Sequence, residues 1–191
     1  MVVDGVLGCV RALTRRSLRD LPREQAGHAL IEAALIFPIL LGLFLGVSEF
    51  SEGFTVNRRL HASAHTAADL VARLQTVPSQ DLNGVRAMID ETIKPYSLET
   101  LGVIVTSVVA DAKDAGITLV AWSEARGAGV SPHASGAALS LPAGLALPGS
   151  SVILAEVKYS FRSTLSTMIV GPVSMQAQAY QRPRFALQVM K

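Results

Sequence analysis

A few histidines and serines are the residues of this sequence that could do chemistry, and their spacing fits no common catalytic or metal-binding pattern. His61 and His65 are four residues apart, so they would share one face of a helix. The segment between them is Ala-Ser-Ala, which lacks the glutamate that acts as general base in the H-E-x-x-H zinc motif. His133 lies between Ser131 and Ser135 without the G-x-S-x-G turn of a hydrolase nucleophile. We therefore expect a protein that is not an enzyme and needs no metal or cofactor. The alternative is a membrane-anchored hydrolase that uses His133 or the His61/His65 pair.

The charges of the chain are few and unevenly placed. Only 17% of the residues are charged, against about 25% in an ordinary soluble domain. Residues 1–27 hold five arginines and three acidic residues, whereas the rest of the chain is neutral. A basic leader before an apolar run indicates membrane topology, so we expect no nucleic-acid partner. The one cysteine, Cys9, lies in this leader, so no disulfide can form within the chain.

The apolar run is Ala29–Val47, ALIEAALIFPILLGLFLGV, and Glu32 is its one charged residue. As a helix it would be about 28 Å long, enough to cross a bilayer core of roughly 30 Å. Arginines lie before the run, and a body poor in charge follows it, which places the N-terminus in the cytoplasm and the body in the periplasm. The prediction is a single-pass bacterial inner-membrane protein, with a plain signal anchor or a cleaved secretory signal as alternatives.

Glu32 needs an explanation, because a carboxylate near the centre of a membrane helix costs about 2.5–3.5 kcal/mol on insertion scales. It is the fifth residue after Gly27, and a basic leader precedes that glycine. This arrangement resembles type IV prepilins, which a dedicated peptidase cuts after the glycine. The resemblance implies cleavage between Gly27 and His28, and a role for Glu32 in subunit register.

The longer stretch GHALIEAALIFPILLGLFLGVSEF resembles the TadE/TadG-like family, pseudopilin-like proteins of the tight-adherence (Flp) pilus system. The similarity extends to SVILAEVKYSF and GPVSMQAQAYQRPR near the C-terminus, which look like the family's two late strands and basic end. The matching N-terminal features are Gly27, Glu32, Phe37, Pro38, Gly46, Glu49 and Phe50.

The resemblance implies a minor pseudopilin-like component of Tad/Flp pilus assembly that acts by membrane insertion and subunit packing. Its partners would be the inner membrane, the prepilin peptidase, other Tad/Flp assembly proteins and pilin subunits, with association with the pilus itself. The alternative is a single-pass structural or adhesion protein that is not processed as a prepilin. The residues expected to pack the helix against neighbours are Phe37, Pro38, Gly42, Gly46, Glu49 and Phe50.

The periodicity of the remaining sequence predicts an α+β fold. The membrane helix should continue to about Leu74, with a break at Gly53, and bury a stripe at Val56, Leu60, Ser63, Ala67, Leu70 and Leu74. A second helix is predicted over Leu82–Ile93, capped by Ser79 or Asp81 and ended by Pro95.

Alternation of apolar and polar residues then predicts a small antiparallel sheet. Leu101–Ala110 and Ile117–Trp122 should form a hairpin, and residues 127–150 a loop. In Ser151–Phe161, the face with Glu156, Lys158 and Ser160 should be polar; a similar strand begins at Val173. The Arg182-Pro183-Arg184 end should be a solvated tail. The expected divisions are a basic leader at 1–27, a transmembrane pilin-like helix at 28–50, a periplasmic helical region at 51–96 and a periplasmic β-rich region at 97–191.

Overall fold

A long apolar helix followed by a small four-stranded antiparallel sheet makes up the α+β fold, as predicted. The computed structural model describes residues 25–114, 116–142, 144–163, 167 and 171–191. The leader over residues 1–24 lies outside them. The elements are α1 (Gln25–Ala72), α2 (Ser79–Ile93), β1 (Gly102–Ala110), β2 (Thr118–Gly127), β3 (Ser151–Phe161) and β4 (Val173–Gln181). The chain forms two compact units, the first ending at Val47 and the second comprising Ser48–Lys191.

Helix α1 runs without interruption through Gly53, so the predicted break there is wrong. One glycine costs a helix only about 1 kcal/mol, and packing in the second unit offsets that cost. A side chain on Gly53 would lie 3.7 Å from both Phe161 and Met175, so the glycine brings the helix backbone close to the sheet.

The buried stripe of α1 follows the prediction at first and then departs from it. Val56, Leu60, Ser63 and Ala67 are all fully buried, but Leu70 is 36% exposed and Val71 is buried in its place. The cause is geometric. A strict 4-3 spacing drifts by about 20° per heptad around a straight helix, so by Leu70 the predicted stripe has turned away from the core.

Helix α2 begins three residues earlier than expected and uses a different cap. Pro78 is the N-cap, in an extended conformation, and no side chain caps the helix. The prediction that Ser79 or Asp81 caps it is therefore wrong. The amide of Asp81 instead donates to the carbonyl of Pro78 at 3.0 Å, which satisfies a first-turn N–H through the backbone. The predicted C-terminus is correct: the helix ends at Ile93, because the residue before a proline is disfavoured in helical conformation.

The four strands lie in the order β2-β1-β3-β4, and every neighbouring pair is antiparallel. Strands β1 and β2 form the predicted hairpin, with a bulge that shifts the register between Ser107 and Val108. One face of the sheet packs against the two helices. Its core contribution comes from Val103, Val105, Trp122, Ile153, Ala155, Val157, Tyr159, Phe161, Ala177 and Ala179.

The opposite face of the central strands is also covered, which the sequence did not indicate. Ile104, Leu154 and Glu156 are all buried, so the predicted polar face of β3 is wrong at Glu156, although Lys158 is exposed. The cover is the irregular segment after β2. Its backbone bonds to the free edge of β2, with the amide of Val120 donating to the carbonyl of Ala137 at 2.9 Å. This segment thus closes one sheet edge that would otherwise be open for pairing.

Candidate functional site

The predicted processing residues lie at the start of helix α1. Gly27 is half-buried, whereas His28 and Glu32 are exposed. His28 and Glu32 are four residues apart in this helix, so they lie on the same face. Cleavage between Gly27 and His28 stays a prediction, as does the register role of Glu32.

The helix that follows exposes its apolar side chains along its whole first part. The stretch of α1 within Gly27–Ala72 that is most apolar has a mean hydropathy of 2.4, and none of it is buried. Leu30, Phe37, Phe44 and Val47 are each more than 60% exposed. An apolar surface of this extent requires lipid or another apolar surface to cover it.

Two glycines among the predicted packing residues leave part of the helix surface without side chains. Gly42 and Gly46 are four residues apart, and nothing lies within 4 Å of where a side chain would project from either one. Small residues at this spacing allow the backbones of membrane helices to approach closely. Phe37 is 64% exposed, and Pro38 lies inside the helix without ending it.

The last two predicted packing residues, Glu49 and Phe50, belong to the second unit and have different environments. The carboxylate of Glu49 accepts a hydrogen bond from the hydroxyl of Ser163, beyond the end of β3. Phe50 is 76% exposed and stacks on Phe54, with ring centroids 6.5 Å apart and planes 17° apart. Glu49 thus links the helix to the segment after β3, whereas Phe50 adds an apolar surface that the described residues leave exposed.

The histidine pair of helix α1 lies on its surface. His61 and His65 are both exposed on α1. Among the residues described, no group of three or more His, Cys, Asp or Glu side chains is arranged to hold a metal ion.

His133 takes part in a polar network on the outer face of the sheet. Its Nε2 lies 2.6 Å from a carboxylate oxygen of Glu156, and the other oxygen of Glu156 accepts from Gln178 at 3.1 Å. Ser123 Oγ accepts from the backbone amide of His133 at 3.0 Å and not from its ring. The serine and the imidazole therefore do not form a nucleophile–base pair. The network explains how a carboxylate can be buried at this position, because each of its oxygens has a partner.

The C-terminal arginines are exposed, as predicted, but they do not form a free tail. Arg182 donates to the carbonyls of Leu145 and Gly144 at 2.7 and 2.6 Å. Arg184 forms an ion pair of 2.6 Å with Asp69 on α1. Farther on, the carbonyl of Val189 accepts from the indole of Trp122 at 2.8 Å. The end of the chain therefore stabilises the second unit.

Asp69 is a hydrogen-bond acceptor for three side chains. It accepts hydrogen bonds from Arg73, Gln181 and Arg184. The bond from Arg73, helped by the bond from Gln181 and the charges of both arginines, outweighs desolvation and lowers the pKa of Asp69. Sequence reasoning missed this centre. The four-residue spacing of Asp69 and Arg73 was visible, but the partners from the C-terminus were not.

The exposed apolar part of helix α1 has the length and composition of a membrane span. The described residues contain one helix that is long and apolar enough to cross a membrane, which is compatible with a single-pass membrane anchor. Residues 27–69 match the family model of TadE-like proteins, which confirms the resemblance predicted for the N-terminal stretch. This family is associated with Tad pilus systems. A search of curated proteins and a search of solved structures each gave no match.

Proposed function

We propose that the protein is a minor pseudopilin-like component of Tad/Flp pilus assembly. The observation that carries this proposal is the TadE-like match, which begins at Gly27 and lies within helix α1. The most apolar stretch of α1 is not buried in the structure, which supports a function in which other subunits or lipid cover it. In this proposal the protein acts by insertion and lateral packing, without catalytic turnover.

The arginine-rich leader supports an orientation with the N-terminus in the cytoplasm and the body in the periplasm of the bacterial inner membrane. The prepilin peptidase would then meet Gly27 on the cytoplasmic side. The other partners would be Tad/Flp assembly proteins and pilin subunits. Protease added to spheroplasts should digest the body, and a protected C-terminus would contradict this orientation.

Glu32 would act once the leader is removed. Cleavage before His28 creates an amino group four residues from Glu32, about one helical turn along the same face. That group could pair with Glu32 of the same chain or of a neighbouring one. Pairing offsets much of the cost of placing either charge in lipid, so the carboxylate would favour one register between subunits.

Two substitutions test the proposal. Gly27→Leu places a bulky side chain at the cleavage site, so the precursor should accumulate and migrate about 27 residues larger on a gel. N-terminal sequencing of the wild-type protein should begin at His28. Glu32→Ala should still insert and be cut, yet fail to support pili seen by electron microscopy.

Glu52→Ala is the matched control, because Glu52 is an exposed acid on the same helix beyond the apolar run. It should leave piliation unchanged. Normal piliation with Glu32→Ala, together with equal mobility of wild type and Gly27→Leu, would refute the proposal. That result would favour a plain membrane-anchored structural or adhesion protein.

A further inference from the structure

An apolar groove opens on the second unit, where helix α1 approaches the end of the sheet. Its volume is about 360 Å³, within the range of ligand sites in proteins. Glu49 and Asn57 are its polar lining residues. The apolar lining residues are Phe50, Gly53, Phe54, Phe161, Val173 and Met175.

The walls of this groove carry apolar side chains that the described residues leave exposed. Phe50, Phe54 and Val173 are 76%, 55% and 39% exposed. They come from two places far apart in the sequence, helix α1 and the first residue of β4. Their convergence on one surface is therefore a property of the folded body. A contiguous exposed apolar surface of this kind marks a binding site for a partner or a lipid.

Few residues separate the groove from the apolar run. Phe54 follows Val47, the last residue of the apolar run, by seven residues. At 1.5 Å per residue this is about 10 Å of helix. The headgroup layer extends roughly 5–8 Å beyond the hydrocarbon on each side, and interfacial apolar surfaces typically insert about 5–10 Å.

Two exposed arginines adjoin groove residues in the sequence. Arg58 follows Asn57 along the chain, Arg162 follows Phe161, and both are exposed. An apolar surface flanked by basic residues is the pattern of proteins that lie in the membrane interface, where the cations meet phosphate and the apolar side chains meet acyl chains. Two acids are also close in the sequence: Glu49 accepts a hydrogen bond from Ser163, and Glu52 is exposed on α1.

We propose that the groove between α1 and the end of the sheet is a lipid-docking surface. Phe50, Phe54 and Val173 insert among the lipids of the membrane that the apolar helix enters, and Arg58 and Arg162 bind their phosphates. The body would thereby be fixed against the membrane surface instead of moving freely on its helix. This goes beyond the proposed pilus function and would hold equally for a plain anchor.

The test introduces tryptophan as a fluorescent probe at both walls of the groove. The full chain contains one tryptophan, Trp122, which is buried. Phe54→Trp and Val173→Trp are compared in nanodiscs with one copy each, made from lipids brominated near the headgroup end of the acyl chains. Leu147→Trp is the matched control, because Leu147 is 55% exposed and does not line the groove.

The added emission of both groove variants should be lost in brominated discs and retained in ordinary ones, whereas Leu147→Trp and wild type should be unchanged. Loss at Phe54→Trp alone would overturn the proposal, because it would mean that the helix meets lipid but the groove does not. Equal emission of Val173→Trp and Leu147→Trp in brominated discs would overturn it as well. So would loss that appears only when several copies share a disc, since the occupant would then depend on a second protein chain. Purification of loaded discs confirms insertion independently of any effect on piliation.

Discussion

Arg86 on helix α2 offers the sharpest test of how the second unit is held together. Its Nε donates to Asp90 at 2.6 Å, and its Nη1 donates to the carbonyls of Leu101 and Arg126 at 3.2 and 3.1 Å. One side chain therefore joins the helix to the start of β1 and to the end of β2. The Arg86 side chain is only 19% exposed, so water cannot easily replace these bonds.

Arg86→Met keeps most of the aliphatic stem and removes every donor. Hydrogen bonds to a charged group contribute about 1.5–3 kcal/mol each, and a carbonyl left without its partner costs about 1–3 kcal/mol. In this variant the carbonyl of Leu101 keeps one hydrogen bond, from the amide of Ala128 at 3.1 Å, so it is not left without a partner. We expect the free energy of unfolding to fall by about 2–4 kcal/mol.

Arg73→Met is the matched control. Arg73, one residue past the end of α1, also forms an ion pair with an acid four residues away, Asp69, but the Arg73 side chain is 53% exposed. Such pairs contribute about 0.3–0.5 kcal/mol. Urea unfolding of the full chain in mild detergent, followed by the fluorescence of Trp122, measures both changes. A loss for Arg86→Met no larger than that for Arg73→Met would refute this account of the contact.

Two further predictions concern the backbone and the pH dependence. Gly127 has a φ of +99°, and a side chain there would collide with Arg86 and with the carbonyl of Leu101. Gly127→Ala should therefore lower the free energy of unfolding by about 2 kcal/mol or more. Gly129→Ala, at a φ of +65° with nothing within 4 Å, should cost less, about 1 kcal/mol; equal losses would contradict the collision. The pKa of Asp69 is below its ordinary value of 3.8, chiefly because Arg73 donates a hydrogen bond to it. Its stabilising effect is thus complete above pH 3.8 and is lost as the pH falls through the lowered pKa. Wild type should exceed Asp69→Asn in thermal midpoint at neutral pH, and the two should converge in strong acid; a constant difference would show that Asp69 is not the titrating group.

The sequence by itself determined the elements of this protein. The apolar run predicts helix α1, because hydropathy and the 3.6-residue period are local properties of the chain. Lys94-Pro95 predicts the end of α2, because the clash between a proline and the residue before it is local as well. The alternating residues of Ser151–Phe161 predict β3 at its observed bounds for the same reason.

Tertiary structure decided which surfaces these elements bury. The sequence predicts that Glu156 is exposed, but the segment containing His133 covers it. His133 and Glu156 are 23 residues apart in the sequence. The sequence predicts that Arg184 belongs to a tail, but in the structure it binds Asp69, 115 residues earlier. Phe54 and Val173 become walls of one groove only when α1 packs beside β4. Periodicity shows that a helix or strand has one apolar and one polar face. It does not show which part of the chain packs against either face. That depends on contacts between distant segments, which form only when the whole unit packs.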